Sequence, residues 1–309
     1  MPGAGKWTLI FRGIELDWRL GKQGTGLGIR DKRSSIPFIP CPLFQSKVLN
    51  PVSPILNPPT LADRLALRER PSGSPLMHQQ WGDLLFMHWP VPAEVIQPYL
   101  PPRLRVDTHD GQAWLAIVPF RMWDVRSRVT PPVPGVREFL ELNVRTYVHL
   151  DGVPGVWFFS LDATNALAVW AARTFFHLPY FRARLSLERP APDQLRYVGH
   201  RVHNGAPDAH FTATWQLGAA LPPVEPGSLT FFLTERYCLY AAAGGAAPGQ
   251  GERLYRGRIA HAPWPLREIE LLNFQSDLIE QHGLPVPVGA PVLHAGGPLS
   301  VDLWQLRRV

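Results

Sequence analysis

The clearest pattern in the chain is the alternation over Leu140–Leu150, LELNVRTYVHL. Leu140, Leu142, Val144, Thr146, Val148 and Leu150 share one side of an extended chain, and Glu141, Asn143, Arg145, Tyr147 and His149 share the other. Asp151-Gly152 then signals a tight turn, and Val156–Leu161 reads as the returning strand. The period changes over Thr164–Leu178. Leu167, Trp170, Ala171, Thr174, Phe175 and Leu178 recur at helical spacing, with Asp162 or Thr164 as cap and Pro179 as stop.

Upstream, Pro92–Leu100 predicts a short helix and Ala113–Met122, apolar on both faces, a buried strand. Downstream, strands are expected near 182–189, 195–204, 209–217, 253–261, 266–273 and 299–306, with a short helix around Ser276–His282. Gly227–Ala242 is ambiguous between the two states and favours a helix from Ser228. Many short strands and few helices predict a mainly β (α+β) fold with a closed or strongly curved sheet. The 34 prolines agree, since proline breaks helix interiors and central ladders.

Composition divides the chain. Lys6, Lys22, Lys32 and Lys47 are its only lysines. Residues 1–58 carry four Lys and four Arg against three acids, whereas residues 59–309 carry 23 Arg against 22 acids. Residues 1–75 therefore read as a poorly ordered basic leader, with a short helix at Leu61–Arg70, and residues 76–309 as one domain. Translation starting at Met77 is a second reading of the same break, which an intact mass would decide. A nearly neutral domain argues against nucleic acid as a partner. Cys41 and Cys238 make no disulfide framework, and no apolar run is long enough for a membrane span. The expectation is a soluble, cytoplasmic protein.

The blocks FLELNVRTYV (Phe139–Val148), GVWFFSLDATNALAVWAARTFFHLPYFRARLSL (Gly155–Leu187) and FLTERYCLY (Phe232–Tyr240) resemble the YqjF-like family, domain of unknown function 2071. With MHQQWGDLLFMHWPV (Met77–Val91) the match spans Met77 to the C-terminus. A more distant resemblance is to acetoacetate decarboxylases, which carry a glutamate-bearing strand, a strand ending in an Asp-containing turn, an Ala-rich helix and a turn with paired lysines. Glu141, Ser160-Leu161-Asp162, the 164–177 helix and His177–Phe181 follow the same order. The resemblance implies a β-barrel-like fold with a central cavity. It departs at the decisive position, where Tyr180 and Phe181 stand in place of the lysines. Schiff-base decarboxylation needs a free amine, and arginine stays protonated. That chemistry is not expected of this domain.

Glu141, Asn143 and Arg145 form the leading candidate site. In one reading this polar face points into the cavity, with Leu140, Leu142 and Val144 packed outward beneath a helix. Arg145 then holds a carboxylate and Glu141 serves as acid or base. In the other reading the polar face is solvated and the apolar face lies inside. Tyr180 is either a hydroxyl donor into the cavity or an aromatic plug at its rim. Arg121 and Arg182 are either carboxylate clamps or surface ion-pair partners. Glu235 and Arg236 point apart on a helix, so a cap or an inter-element salt bridge fits them. His200 and His203 fall on opposite faces of a strand, which argues against a metal site. There is no GxSxG nucleophile elbow and no complete P-loop. No cofactor is expected, and the sequence is silent on oligomeric state. Three functions remain: a binding domain for a small carboxylate or carbonyl compound; an enzyme using Glu141 with Arg145 or Tyr180 for enolisation, hydration or lactone chemistry; and an interaction module with a filled interior.

Overall fold

A computed structural model describes residues 7–11, 14–18, 57–128, 137–245, 247 and 249–309. Contacts divide the chain into residues 1–48 and 49–309. In the first unit, β1 (Trp7–Phe11) pairs antiparallel with β2 (Ile14–Trp18). The rest of the basic leader up to residue 56 lies outside the described residues.

The second unit takes in the end of the span read as a leader. Helix α1 (Leu61–Ala66) lies within the expected Leu61–Arg70 span. Thr60 and Asp63 form a capping box: the Asp63 N–H donates to Thr60 Oγ1 at 3.2 Å, and the Thr60 N–H donates to Asp63 Oδ2 at 2.8 Å. The chain then runs onto the sheet, where the Leu76 N–H donates to the Leu303 carbonyl at 2.7 Å.

The strands that follow are β3 (Met77–Gly82), β4 (Leu84–Val91), β5 (Arg105–Val106), β6 (Ala113–Ser127), β7 (Glu138–Leu150), β8 (Val153–Ala163), β9 (Tyr180–Glu188), β10 (Gln194–Arg201), β11 (His210–Ala220), β12 (Cys238–Ala243), β13 (Arg253–His261), β14 (Leu266–Ser276), β15 (Val292–Gly296), β16 (Leu299–Leu303) and β17 (Arg307–Arg308). Helices α2 (Ala93–Ile96), α3 (Ala166–Phe175) and α4 (Leu229–Thr234) lie between them. The helix expected at Ser276–His282 is only a 3-10 turn at Glu280–His282.

The pairings close two circuits. The larger runs β4–β6–β7–β8–β9–β10–β11–β14–β15 and back to β4. The smaller runs β3–β6–β7–β8–β12–β13–β16 and back to β3. Closure removes the exposed edges that an open sheet of this length would present. Strands β6, β7 and β8 belong to both circuits, which is why their two faces are both buried. Leu115, Ile117, Leu142 and Val144 join the first apolar core, while Ala116, Val118, Phe120 and Ala163 join the second. The β6 strand pairs with β4 up to Ile117 and with β3 from Arg121 onward. Pro119 falls in the gap between these partners, where a residue without an N–H interrupts the ladder least.

Gly227–Ala242 is divided between two states. Ser228 caps α4, its Oγ accepting from the Phe231 N–H at 3.2 Å. The helix stops at Thr234, and Cys238–Ala243 is a strand between β8 and β13.

Candidate functional site

Register places the polar face of β7. Glu141 stands opposite Phe120 and Ala163, Asn143 opposite Val118 and Leu161, and Arg145 opposite Ala116 and Phe158. Directly opposed residues share a face. The polar residues therefore face the smaller circuit, and Leu142 and Val144 face the core of the larger one. Neither sequence reading has this geometry. The polar face is not solvated, since Glu141 and Asn143 are each 3% exposed, and the apolar face lies under a second strand circuit rather than a helix.

Tyr180 reaches Glu141 because α3 and the turn after it aim it there. Asn165 caps α3 by accepting the Ala168 N–H at 2.9 Å. His177 adopts a left-handed conformation that turns the chain. Arg173 donates to the Tyr180 carbonyl at 2.6 Å, and the Tyr180 hydroxyl donates to Glu141 Oε2 at 2.5 Å. Asn143 Nδ2 approaches Glu141 Oε1 at 3.5 Å, and the Tyr197 hydroxyl donates to the Glu141 carbonyl at 2.9 Å. Burial pushes the Glu141 carboxyl up to about 7, against the lowering effect of the Tyr180 and Asn143 hydrogen bonds and the charge of Arg145. Burial and the adjacent Glu141 raise the Tyr180 hydroxyl well above its ordinary value.

Arg145 is half-buried, with its guanidinium over the rings of Phe86 at 5.5 Å and Tyr147 at 5.9 Å. Among the described residues no acid lies within ion-pair distance of it. Its Nε and the Oδ1 of Asn143 are buried without hydrogen-bond partners. Below it, His88 Nε2 and the Tyr147 hydroxyl are 2.7 Å apart, and that hydroxyl donates to the Leu233 carbonyl at 2.7 Å. Burial, with Arg145 and His294 nearby, keeps His88 neutral.

Four of the six expected residues, Glu141, Asn143, Arg145 and Tyr180, thus meet. Arg121 and Arg182 lie outside the cluster. Arg121 pairs with Glu138 at 3.0 Å and stacks on Trp123, on a half-exposed side of β6. The Arg182 side chain is exposed, and its backbone N–H donates to His203 Nδ1 at 3.1 Å. His200 stacks on His210 with ring centroids 4.5 Å apart.

A second buried cluster lies on the other face of β8, and sequence reasoning missed it. Arg201 forks onto Asp162 with two 2.7 Å bonds, its guanidinium 4.3 Å from the Phe181 ring centroid. His282 Nε2 lies 2.8 Å from Ser160 Oγ. Burial and Arg201 push the His282 imidazole down to about 3, so it is neutral. The sequence offers Asp162 only as a cap or turn residue, and its partner is 39 positions away.

A family model described as "Uncharacterized conserved protein" (domain of unknown function 2071) matches residues 78–298. The uncharacterized protein YqjF of Bacillus subtilis (strain 168) is 40% identical over 238 residues, covering 77% of this chain and 94% of that protein. Among solved structures, the enduracididine biosynthesis enzyme MppR complexed with pyruvate superposes with a TM-score of 0.53 at 16% identity, over 78% of this chain and 93% of its own. An acetoacetate decarboxylase-like enzyme from Sphingomonas wittichii RW1 gives 0.52 at 12%, over 77% and 94%. At these identities the structural likeness establishes the fold alone. No described helix is long and apolar enough to cross a membrane. By sequence the chain belongs to the domain of unknown function 2071 family, and by structure it has the acetoacetate-decarboxylase-like fold.

Proposed function

We propose that this domain binds a small compound bearing a carboxylate or carbonyl group beside Glu141, Asn143 and Arg145. The observation that carries the reading is Arg145, a half-buried guanidinium without an acid partner among the described residues. Buried polar atoms are rarely left unmatched, and an unpaired guanidinium is a ready carboxylate fork. Asn143 Oδ1, also unmatched and on the same face of β7, adds an acceptor. Schiff-base decarboxylation is not part of the proposal, because no lysine follows Lys47. MppR, of the same fold, was solved with pyruvate, which supports including keto acids among the compounds tried.

The test is calorimetry and thermal shift with 2-oxo acids, 3-oxo acids and lactones on wild type, Arg145→Met and Arg145→Lys. The expected result is a ligand whose affinity falls at least about tenfold in Arg145→Met, as befits losing one charge-assisted contact. Equal binding by Arg145→Met, or no binding by wild type across the panel, would sink the proposal.

A second reading, an enzyme using Glu141 for proton transfer, is favoured by one observation. A carboxyl pushed up to about 7 beside a hydroxyl 2.5 Å away can both give and take a proton near neutral pH. Turnover lost in Glu141→Gln with binding retained supports it. Binding without turnover in both proteins rejects it.

A further inference from the structure

Helix α1 is held to the domain in an unusual way. None of its residues is buried. Two depressions flank it: one of about 250 Å³ touches Leu61, Arg64, His109 and Phe232, and one of about 640 Å³ touches Asn57, Asp63, Leu67 and Asp151. Leu65 and Leu67 are only half-buried. Its anchors are two arginines, Arg64 in the helix and Arg68 in the turn that follows it.

Each arginine meets a matched pair of groups. Arg64 forks onto Asp107 with two 2.7 Å bonds, and its guanidinium lies 5.0 Å from the Phe232 ring centroid. Arg68 donates to Glu235 at 3.2 Å, with its guanidinium 5.0 Å from the Phe231 ring centroid. The two carboxylates are 2% and 0% exposed. Phe231 and Phe232 are consecutive on α4, and Asp107 is also held by Arg236 at 2.6 Å. Beyond the helix, Arg258 donates to the Leu67 and Glu69 carbonyls, both at 2.9 Å. This set reads one guanidinium fork and one single charge-assisted bond, each beside an aromatic face, and holds two carbonyls at and after the helix end.

We propose that this face is a docking surface for a short helix and the turn after it, carrying arginines four residues apart, filled in this chain by its own residues 57–70. The link Pro71–Pro75 connects the segment to β3. Its Gly73 has a left-handed φ of +80°, which a side chain would strain, and its carbonyl accepts from Trp304 Nε1 at 3.3 Å, so the glycine is kept in the test below.

The test cuts that link. A protease site is placed between Ser72 and Gly73 of the full chain, the protein is cleaved, and retention of the 1–72 piece is followed by size exclusion. A labelled peptide of residues 57–70 is then titrated in. The wild-type peptide is expected to exchange into the site. Peptides with Arg64→Ala or Arg68→Ala should compete at least about tenfold less well, and the lysine versions should also be weaker, since an ammonium has no fork. Because the substitutions are in the peptide, the domain's folding is untouched, and circular dichroism checks it after cleavage. The proposal is overturned if the piece leaves a folded domain that ignores the peptide, or if the alanine peptides compete as well as wild type. Unfolding on cleavage also overturns it, because the segment would then be part of the core.

Discussion

Glu141 takes its chemistry from its surroundings, and its stability effect has a definite sign. Burial raises the carboxyl from 4.5 to about 7, so the folded protein holds this proton more tightly than the unfolded chain. Its contribution is full below pH 4.5 and is lost as pH rises through 7. The loss approaches about 3 kcal/mol at high pH, at roughly 1.4 kcal/mol for each unit. Glutamine mimics the protonated form. Urea unfolding should show Glu141→Gln close to wild type at pH 4 and more stable than wild type at pH 8.5, and equal differences at the two pH values would contradict the assignment. Tyr180→Phe removes a hydrogen bond that favours the charged form. The Glu141 carboxyl should then titrate above 7, as carbon NMR of labelled glutamate would record. At this scale the candidate site was half legible. Alternation and the family resemblance located Glu141, Asn143, Arg145 and Tyr180. They did not reveal that Arg121 finds Glu138, because ion-pair partners on adjacent strands depend on register.

Elements are tied together here by buried polar pairs that no local pattern announces. Arg201 on β10 reaches across β9 to Asp162 on β8. Burial raises the Asp162 carboxyl while the Arg201 fork pulls it down. Removing one partner strands a buried charge. Arg201→Met should therefore cost about 3–5 kcal/mol in chemical unfolding, and Asp162→Leu combined with Arg201→Met should cost less than Arg201→Met alone. If the double variant is the worse one, the pair is a net stabiliser. Ser228→Ala should cost about 1 kcal/mol by removing the cap of α4. The same segment shows where local preference gives way. CLYAAA suits a helix as well as a strand, yet it is β12, because β8 and β13 on either side supply ladders that a helix could not use.

For the molecule as a whole, closure of the smaller circuit rests on a narrow contact. Strands β8 and β12 run parallel through only the pairs Leu239↔Val156 and Tyr240↔Trp157. Gly155 makes the approach feasible, since a Cβ there would lie 2.8 Å from the Tyr240 ring and 3.1 Å from the Cys238 carbonyl. Gly155→Val should open this seam at a cost of about 1–3 kcal/mol. Hydrogen exchange should then quicken at Leu239 and Tyr240 while β10 and β11, in the larger circuit, stay protected. Uniform loss of protection would mean that the two circuits unfold as one unit.

What the sequence determined by itself was local and periodic. Alternation along β7, helical spacing in α3, turn residues and the missing lysines were all readable, because each is a property of neighbouring residues. These gave the mainly β class, the polar face and the expectation that Schiff-base decarboxylation is not its chemistry. Tertiary structure decided which space that face looks into. It did so by making β6, β7 and β8 common to two closed circuits, so that both faces of each strand are interior. It also decided that residues 57–76 belong with the domain, although they lack the strand periodicity that begins at Met77. Arg64 and Arg68 find their acids only once Asp107 and Glu235, far away in sequence, have been buried side by side with the aromatic rings of α4. A desolvated carboxylate requires a partner, and only the fold shows which residue supplies it.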